Sequence, residues 1–393
     1  MKTLIAGLAA GIGLCLPLQA EVVELKGSTP ESAAELSLRH EARAAVDRAV
    51  KWLEARQQPE GHFSNAEFPA LTALPLWGLT LANPNPTDVK TKAVAFIMKN
   101  AKPNGAIYAD PKEERKGGGM PNYNTALCMT ALHLAGGEGT REVVLKARRY
   151  VAQGQHLGGD IYAGGFGYDS STKRAYADLS NTIIALEALK MTQSAEDSRK
   201  AGEPRAEIDK KAAADFISSI QNDPDRNKAE WISDDPADKG GFIYQPDKTM
   251  AASFTNAAGV VKFRSYGSMT YAGLLALIYA DVDKNDPRVR SAYEWSIKNW
   301  NLDENPGMGA QGLFYFYNVL AKAMHTMGND VVARPDGTQL NWRRDMLKKL
   351  ISLQKIDADG TGYWVNPEGR WWEADPVLVT SYTLIALQIA LGE

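Results

Sequence analysis

The side chains of this sequence that could do chemistry collect where its least charged helical stretches begin. Asn122, Tyr123 and Asn124 stand at one such start, Tyr176, Asp178 and Asn181 at another, and Arg264 and Tyr266 at a third. Gln311 and Tyr315 mark a fourth, and Trp371, Trp372 and Asp375 a fifth. Aromatic rings mixed with amides and few charges suit a bulky apolar ligand with polar handles, or a sugar stacked on ring faces. Asp178 and Asp375 are the carboxylates of the set, and each can either face such a ligand or cap the helix that follows it.

Metal chemistry has little to work with, and neither a metal nor a cofactor is expected. Of the five histidines, His133 and His325 lie in helical sequence with no second ligand at short spacing, so both are expected as hydrogen-bonded core imidazoles. Asp357, Asp359, Thr361, Gly362 and Glu368 imitate a calcium loop by residue type. The required second helix does not follow, because Gly369-Arg370-Trp371-Trp372 comes next.

These residues are positioned by a unit that occurs six times: an amphipathic helix, a Gly-rich turn and a nearly uncharged helix. In the clearest copy Lys348-Lys349-Leu350-Ile351-Ser352-Leu353-Gln354 runs into Gly360-Thr361-Gly362-Tyr363-Trp364, then Val379-Thr380-Ser381-Tyr382. Others turn at Gly61-His62-Phe63, Gly105-Ala106-Ile107, Gly164-Gly165-Phe166 and Gly240-Gly241-Phe242; the copy around Gly307-Met308-Gly309 is the most degenerate. A helix apolar on every side is a buried helix, and stacked units must bury their faces on one another. The fold class expected is all-α, a single (α/α)6 toroid with the uncharged helices inside. In such a ring the inner helices run parallel, so their N-termini converge and are expected to offer unpaired N–H groups to a pocket at that end.

At 44% hydrophobic, 23% charged and a net charge of −3, the chain reads as one soluble globular domain with nothing to attract nucleic acid. Lys2, the apolar run Leu4 to Leu18 and Ala20 before Glu21 read as a cleaved signal peptide over 1–20, too short and Gly-rich for a transmembrane segment. The expected organisation is signal 1–20, N-terminal extension 21–41 and toroid 42–393, in a secreted or periplasmic protein. Cleavage leaves Cys128 alone, set between Leu127 and Met129 as packed core.

The Gln-x-Gly-x-aromatic turns, above all Gln354 to Gly362 and Trp364, resemble the QW repeats of squalene-hopene and oxidosqualene cyclases and of protein prenyltransferase β-subunits, over Ala42 to Leu391. The resemblance implies the α/α toroid and an isoprenoid substrate class. Class II cyclases protonate their substrate with the central acid of a D-x-D-D motif. The matching stretch is Asp178-Leu179-Ser180-Asn181, where Ser180 replaces the proton donor and Asn181 the last acid. Zinc-dependent prenyl transfer needs Asp, Cys and His ligands, which Arg264-Ser265-Tyr266 and Asp375-Pro376-Val377 do not offer. Three readings stay open. The first is an isoprenoid-handling protein, with Asp178 or Asp375 as the acid if it is an enzyme. The second is a non-catalytic secreted binding module on the same toroid, its partner a hydrophobic small molecule or a glycan. The third is a carbohydrate-active toroid acting on a glycan, with Arg264 or an Asp pair as catalyst.

Overall fold

The computed structural model describes residues 32–110, 119–169 and 176–392, so the segment read as a signal and most of the extension lie outside the described residues. In chain order the helices are α1 Ala33–Glu54, α2 Ala70–Ala82, α3 Asp88–Lys99, α4 Pro121–Ala135, α5 Thr140–Gln153, α6 Leu179–Met191 and α7 Gln193–Asp197. They continue with α8 Lys210–Ser219, α9 Gly267–Tyr279, α10 Pro287–Lys298, α11 Leu313–Met327, α12 Trp342–Leu353 and α13 Pro376–Leu391. Three two-stranded antiparallel hairpins, Ser253–Thr255 with Val261–Phe263, Val331–Ala333 with Gln339–Asn341, and Lys355–Ile356 with Gly362–Tyr363, are the only sheets among the described residues.

The helices form two concentric rings. α2, α4, α6, α9, α11 and α13 pack side by side in that order, and α13 packs back on α2, which closes the inner ring. Their sequences explain the placement: every residue of α2 from Ala70 to Thr80 is buried. The outer helices bury one stripe only, in α1 Ala42, Ala45, Val46, Ala49, Trp52 and Leu53, the spacing of a helix with one wet face. The all-α toroid expected from the repeats is the fold observed. No helix among the described residues is long and apolar enough to cross a membrane.

The repeated turn has a physical reason for each of its residues. Its glutamine spans two repeats: the Gln155 amide donates to Gly164 O in its own turn at 2.9 Å and to Asp209 O, before the next outer helix, at 2.8 Å. Gln57 does the same toward Gly61 O and Val89 O, and Gln221 toward Gly240 O and Arg288 O. In the last repeat Gln354 reaches Ala45 O of α1 at 2.8 Å, joining the end of the ring to its beginning. The glycine is required because the backbone turns to positive φ against the next outer helix: a Cβ on Gly164 (φ +97°) would lie 1.9 Å from Ala212 O. The aromatic residue's N–H donates to a threonine hydroxyl in the first turns of the inner helix, as from Phe166 to Thr182 at 3.0 Å and from Trp364 to Thr380 at 3.0 Å.

One sequence expectation needs correction, and the stretch imitating a calcium loop keeps the place that the repeat gives it. The stretch imitating a calcium loop is the turn of the sixth repeat: Asp357 accepts from Trp52 Nε1 at 3.0 Å and from Arg56 at 3.3 Å, and Lys355–Ile356 pairs with Gly362–Tyr363. His325 is no core imidazole. It lies exposed on the last turn of α11 beside Arg343, while His133 is half-buried against Ser194.

Candidate functional site

The N-terminal ends of the inner helices converge on a cavity of about 260 Å³. Its floor is a layer of tyrosines, Tyr123, Tyr315 and Tyr382, which also roofs a chamber of about 20 Å³ lined by Glu187 and Lys322. Those two groups pair at 2.9 Å from nonadjacent inner helices, and the Lys322 ammonium sits 4.4 Å over Trp77, so the far end of the ring is plugged. Leu71 and Leu74 of α2 and Leu378 of α13 make one wall. Across the ring Ser180 of α6, with Tyr168 and Tyr244, makes the other. Tyr266, Met269, Met250 and Phe68 complete the upper part, and Trp371 and Trp372 flank the mouth, each about half exposed. Both tryptophans take positive φ, 55° and 70°, a conformation that bulky side chains seldom adopt. Arg370 stacks on Trp371 at 4.2 Å, and the Trp372 ring meets Phe68 edge-on at 5.0 Å.

Of the residues singled out in sequence, Tyr123, Asn124, Tyr266, Tyr315, Trp371 and Trp372 come together on this cavity. The others stand behind or beside it. Asn122 donates to Gly167 O at 2.8 Å and holds the neighbouring turn. Asp178 is fully buried behind the wall, where it caps α6 through Asn181 N–H and accepts the Asn181 amide, both at 2.8 Å. Asp375 caps α13 through Val377 N–H at 2.9 Å and also accepts the Ser64 hydroxyl. Arg264 is turned away from the cavity, paired with Asp235 and Asp238 and lying 4.1 Å over Phe254. Gln311 accepts from Arg370 at the rim. Tyr176 is exposed, its ring 6.1 Å from Tyr162.

Tyr168, Tyr244, Tyr382 and Glu373 line the cavity as well and were missed in sequence. A signal existed for two of them, since Tyr168 and Tyr244 end the same Gly-Gly-Phe-x-Tyr turn in successive repeats. Glu373 gave none. Its role is to cap a helix on another part of the chain, accepting Tyr315 N–H at 2.7 Å and Phe314 N–H at 3.3 Å at the start of α11.

That pattern overturns the expectation of unpaired N–H groups at the converging ends. Asp178 and Asp375 cap their own helices, Glu373 caps α11, Asn124 accepts Ala70 N–H of α2 at 2.8 Å, and Asn305 accepts Ser268 N–H of α9 at 2.9 Å. Protein acceptors thus occupy donors at the starts of α2, α6, α9, α11 and α13 that would otherwise hold an anion. Burial sets the titration of the site. It pushes the Asp178 carboxyl up to about 6, against hydrogen bonds from Asn181 and Tyr244 that favour the anion. Burial also raises Glu373 above the usual carboxylate range and Tyr168 up to about 12. Tyr123, Tyr244, Tyr266, Tyr315 and Tyr382 are raised for the same reason, so the lining tyrosines are neutral phenols near pH 7. No group of three or more potential metal ligands occurs among the described residues, and burial pushes the Cys128 thiol up, far from thiolate reactivity.

No family model matches the sequence, and no curated protein matches it. The fold does have solved counterparts. Type II terpene cyclase MstE from Scytonema, as a variant in complex with its product merosterolic acid A, superposes with a TM-score of 0.53 at 12% identity, covering 91% of this chain and 99% of that one. A second variant, in complex with the substrate geranylgeranyl dihydroxybenzoate, gives 0.51 at 11% identity over 91% and 99%. The apo enzyme gives 0.51 at 12% identity over 90% and 99%. The chain has the α/α toroid fold of the terpenoid cyclases.

Proposed function

We propose that this protein holds an isoprenoid or a comparably bulky apolar molecule in the toroid cavity, without the proton donor of a class II cyclase. The observation that carries this reading is the start of α6. There the residue on the cavity wall is Ser180, while Asp178 lies behind it as a buried cap. A serine hydroxyl has no acidity with which to protonate a carbon–carbon double bond. The wall of Leu71, Leu74 and Leu378 and the blind far end support retention of an apolar chain. The similar solved enzyme, whose complexes hold an isoprenoid substrate or product, supports the same ligand class. Lys2, the apolar run after it and Ala20 support export, so the ligand is met outside the cytoplasm.

The test is to incubate the mature chain with squalene and with a geranylgeranyl lipid, then extract and identify what it retains and what it has made. The expected result is retention of unaltered lipid, with trace cyclised product appearing only in Ser180→Asp. Efficient cyclisation by the wild type would remove the claim about Ser180. Failure to retain either lipid, together with selective binding on a glycan array, would favour a carbohydrate ligand stacked on Trp371 and Trp372.

A further inference from the structure

Resting on that reading, we propose that Tyr123, Tyr315 and Tyr382 set the length of chain the cavity accepts, by forming a plate across the bore of the ring. The bore is one channel in two parts. The upper cavity of about 260 Å³ and the chamber of about 20 Å³ below it share Leu74 and these three tyrosines in their linings. Leu74 belongs to the side wall made by α2, so the tyrosines are what lies between the two spaces.

The order of the ring explains why they span it. Among the inner helices α4 stands opposite α11, and α13 stands beside α11. Tyr123 and Tyr315 lie in the first turns of α4 and α11, and Tyr382 lies about two turns into α13. From opposite sides they meet: the Tyr123 hydroxyl pairs with that of Tyr382, whose ring takes the Tyr315 ring edge-on at 5.9 Å. Ser180 of α6 stands against the Tyr315 hydroxyl, and Tyr168 stacks on Tyr123 at 6.3 Å. A chain end that pushed the plate aside would have to break these contacts within a close-packed interior.

Polarity is not what stops the chain. Above the plate the walls are Leu71, Leu74 and Leu378, and below it they are Leu127, Ile183, Ile184 and Leu275. The polar groups of the lower chamber are already engaged, Glu187 with Lys322 at 2.9 Å and the Asn318 amide with Tyr382 O at 3.1 Å. With the rings in place that chamber has room for about one water. Removing one ring would join it to the cavity above.

The test is equilibrium dialysis of the mature chain against geraniol, farnesol, geranylgeraniol and geranylfarnesol, which share a head group and lengthen by one isoprene unit at a time. Wild-type affinity should climb along the series, about fourfold for each methylene buried, and stop climbing where the chain end reaches the plate. Tyr382→Ala and Tyr315→Ala should each carry the climb at least one unit further. The first alcohol past the wild-type limit should then bind about tenfold more tightly than it does to the wild type, the gain from burying roughly two more methylenes. Tyr382→Phe keeps the ring and should keep the limit. Leu378→Ala, which widens the upper wall alone, should weaken the whole series without moving the limit. Should one alanine variant not fold, the other decides. A wild-type series with no limit, a limit unmoved in the folded alanine variants, or one moved as far by Leu378→Ala overturns the role of the tyrosines and leaves a lipid-binding cavity. Binding of none of the alcohols by the wild type removes the isoprenoid reading and this proposal together.

Discussion

Replacing Asp178 with asparagine should stabilise the protein at neutral and alkaline pH and leave it nearly unchanged at pH 4. The carboxyl is fully buried, and burial raises it from about 3.8 to about 6. A folded-state value above the unfolded one means that the contribution to stability is complete below about pH 4 and is lost as pH rises through about 6. A displacement of about two units corresponds to roughly 3 kcal/mol. Asparagine removes the ionisation and keeps the cap, since its Oδ1 can still accept Asn181 N–H. Its new N–H₂ meets the Asn181 amide, which can flip and present the Oδ1 that now lacks a partner. Urea unfolding of wild type and Asp178→Asn at pH 4 and pH 8 reads the difference. The variant should match the wild type within about 1 kcal/mol at pH 4 and exceed it by up to roughly 3 kcal/mol at pH 8. A pH-independent difference, or a variant less stable at pH 8, would show that the hydrogen bonds from Asn181, Tyr244 and Ser180 N–H outweigh burial and would refute the account of its burial.

Gly164→Ala should destabilise by more than about 3 kcal/mol or prevent folding, because its Cβ would strike Ala212 O; Gly360→Ala, where φ is +79° but the space is open, should lose only about 1–2 kcal/mol in the same denaturation assay. Thr182→Val leaves the buried Phe166 N–H without its acceptor and should lower stability by about 1–3 kcal/mol, read as a shifted urea midpoint with an unchanged slope. Lys322→Met alone strands Glu187 in the core and should lose about 3–5 kcal/mol, whereas Lys322→Met with Glu187→Leu should recover most of it. An additive loss in that double variant would mean the pair holds the ring together rather than merely filling it.

The repeat was readable because each of its residues answers a need that recurs: Gln155, Gly164, Phe166 and Thr182 form one joint, and the same types rebuild it elsewhere. The degenerate fifth copy fits this account, for Gly309 stands where four of the other turns place an aromatic and the second places Ile107. The cavity was read less well. Helix starts were identified, but which face of each start looks inward is set by packing, and that turned Asp178 away and brought Ser180 forward. Arg264 looked available in sequence because its partners, Asp235 and Asp238, are more than a full helix away along the chain. Glu373 escaped notice because a cap donated from one repeat to another leaves no local pattern.

Closure of the inner ring has a consequence for how this chain is made. Gln388 donates to Gly78 O at 3.1 Å, Arg39 to Leu391 O at 2.9 Å and Gln354 to Ala45 O, so the first hairpin is completed only by the last. An open array can add each new unit to a finished surface, but here α2 emerges with a face whose partner, α13, has not been synthesised. At about 5–20 residues per second the roughly 300 intervening residues take about 15–60 s. For that time an almost wholly apolar helix has nowhere to go. A chain of this design depends on something to shield α2 during synthesis, and one truncated before Pro376 should accumulate as aggregate however sound its first five repeats.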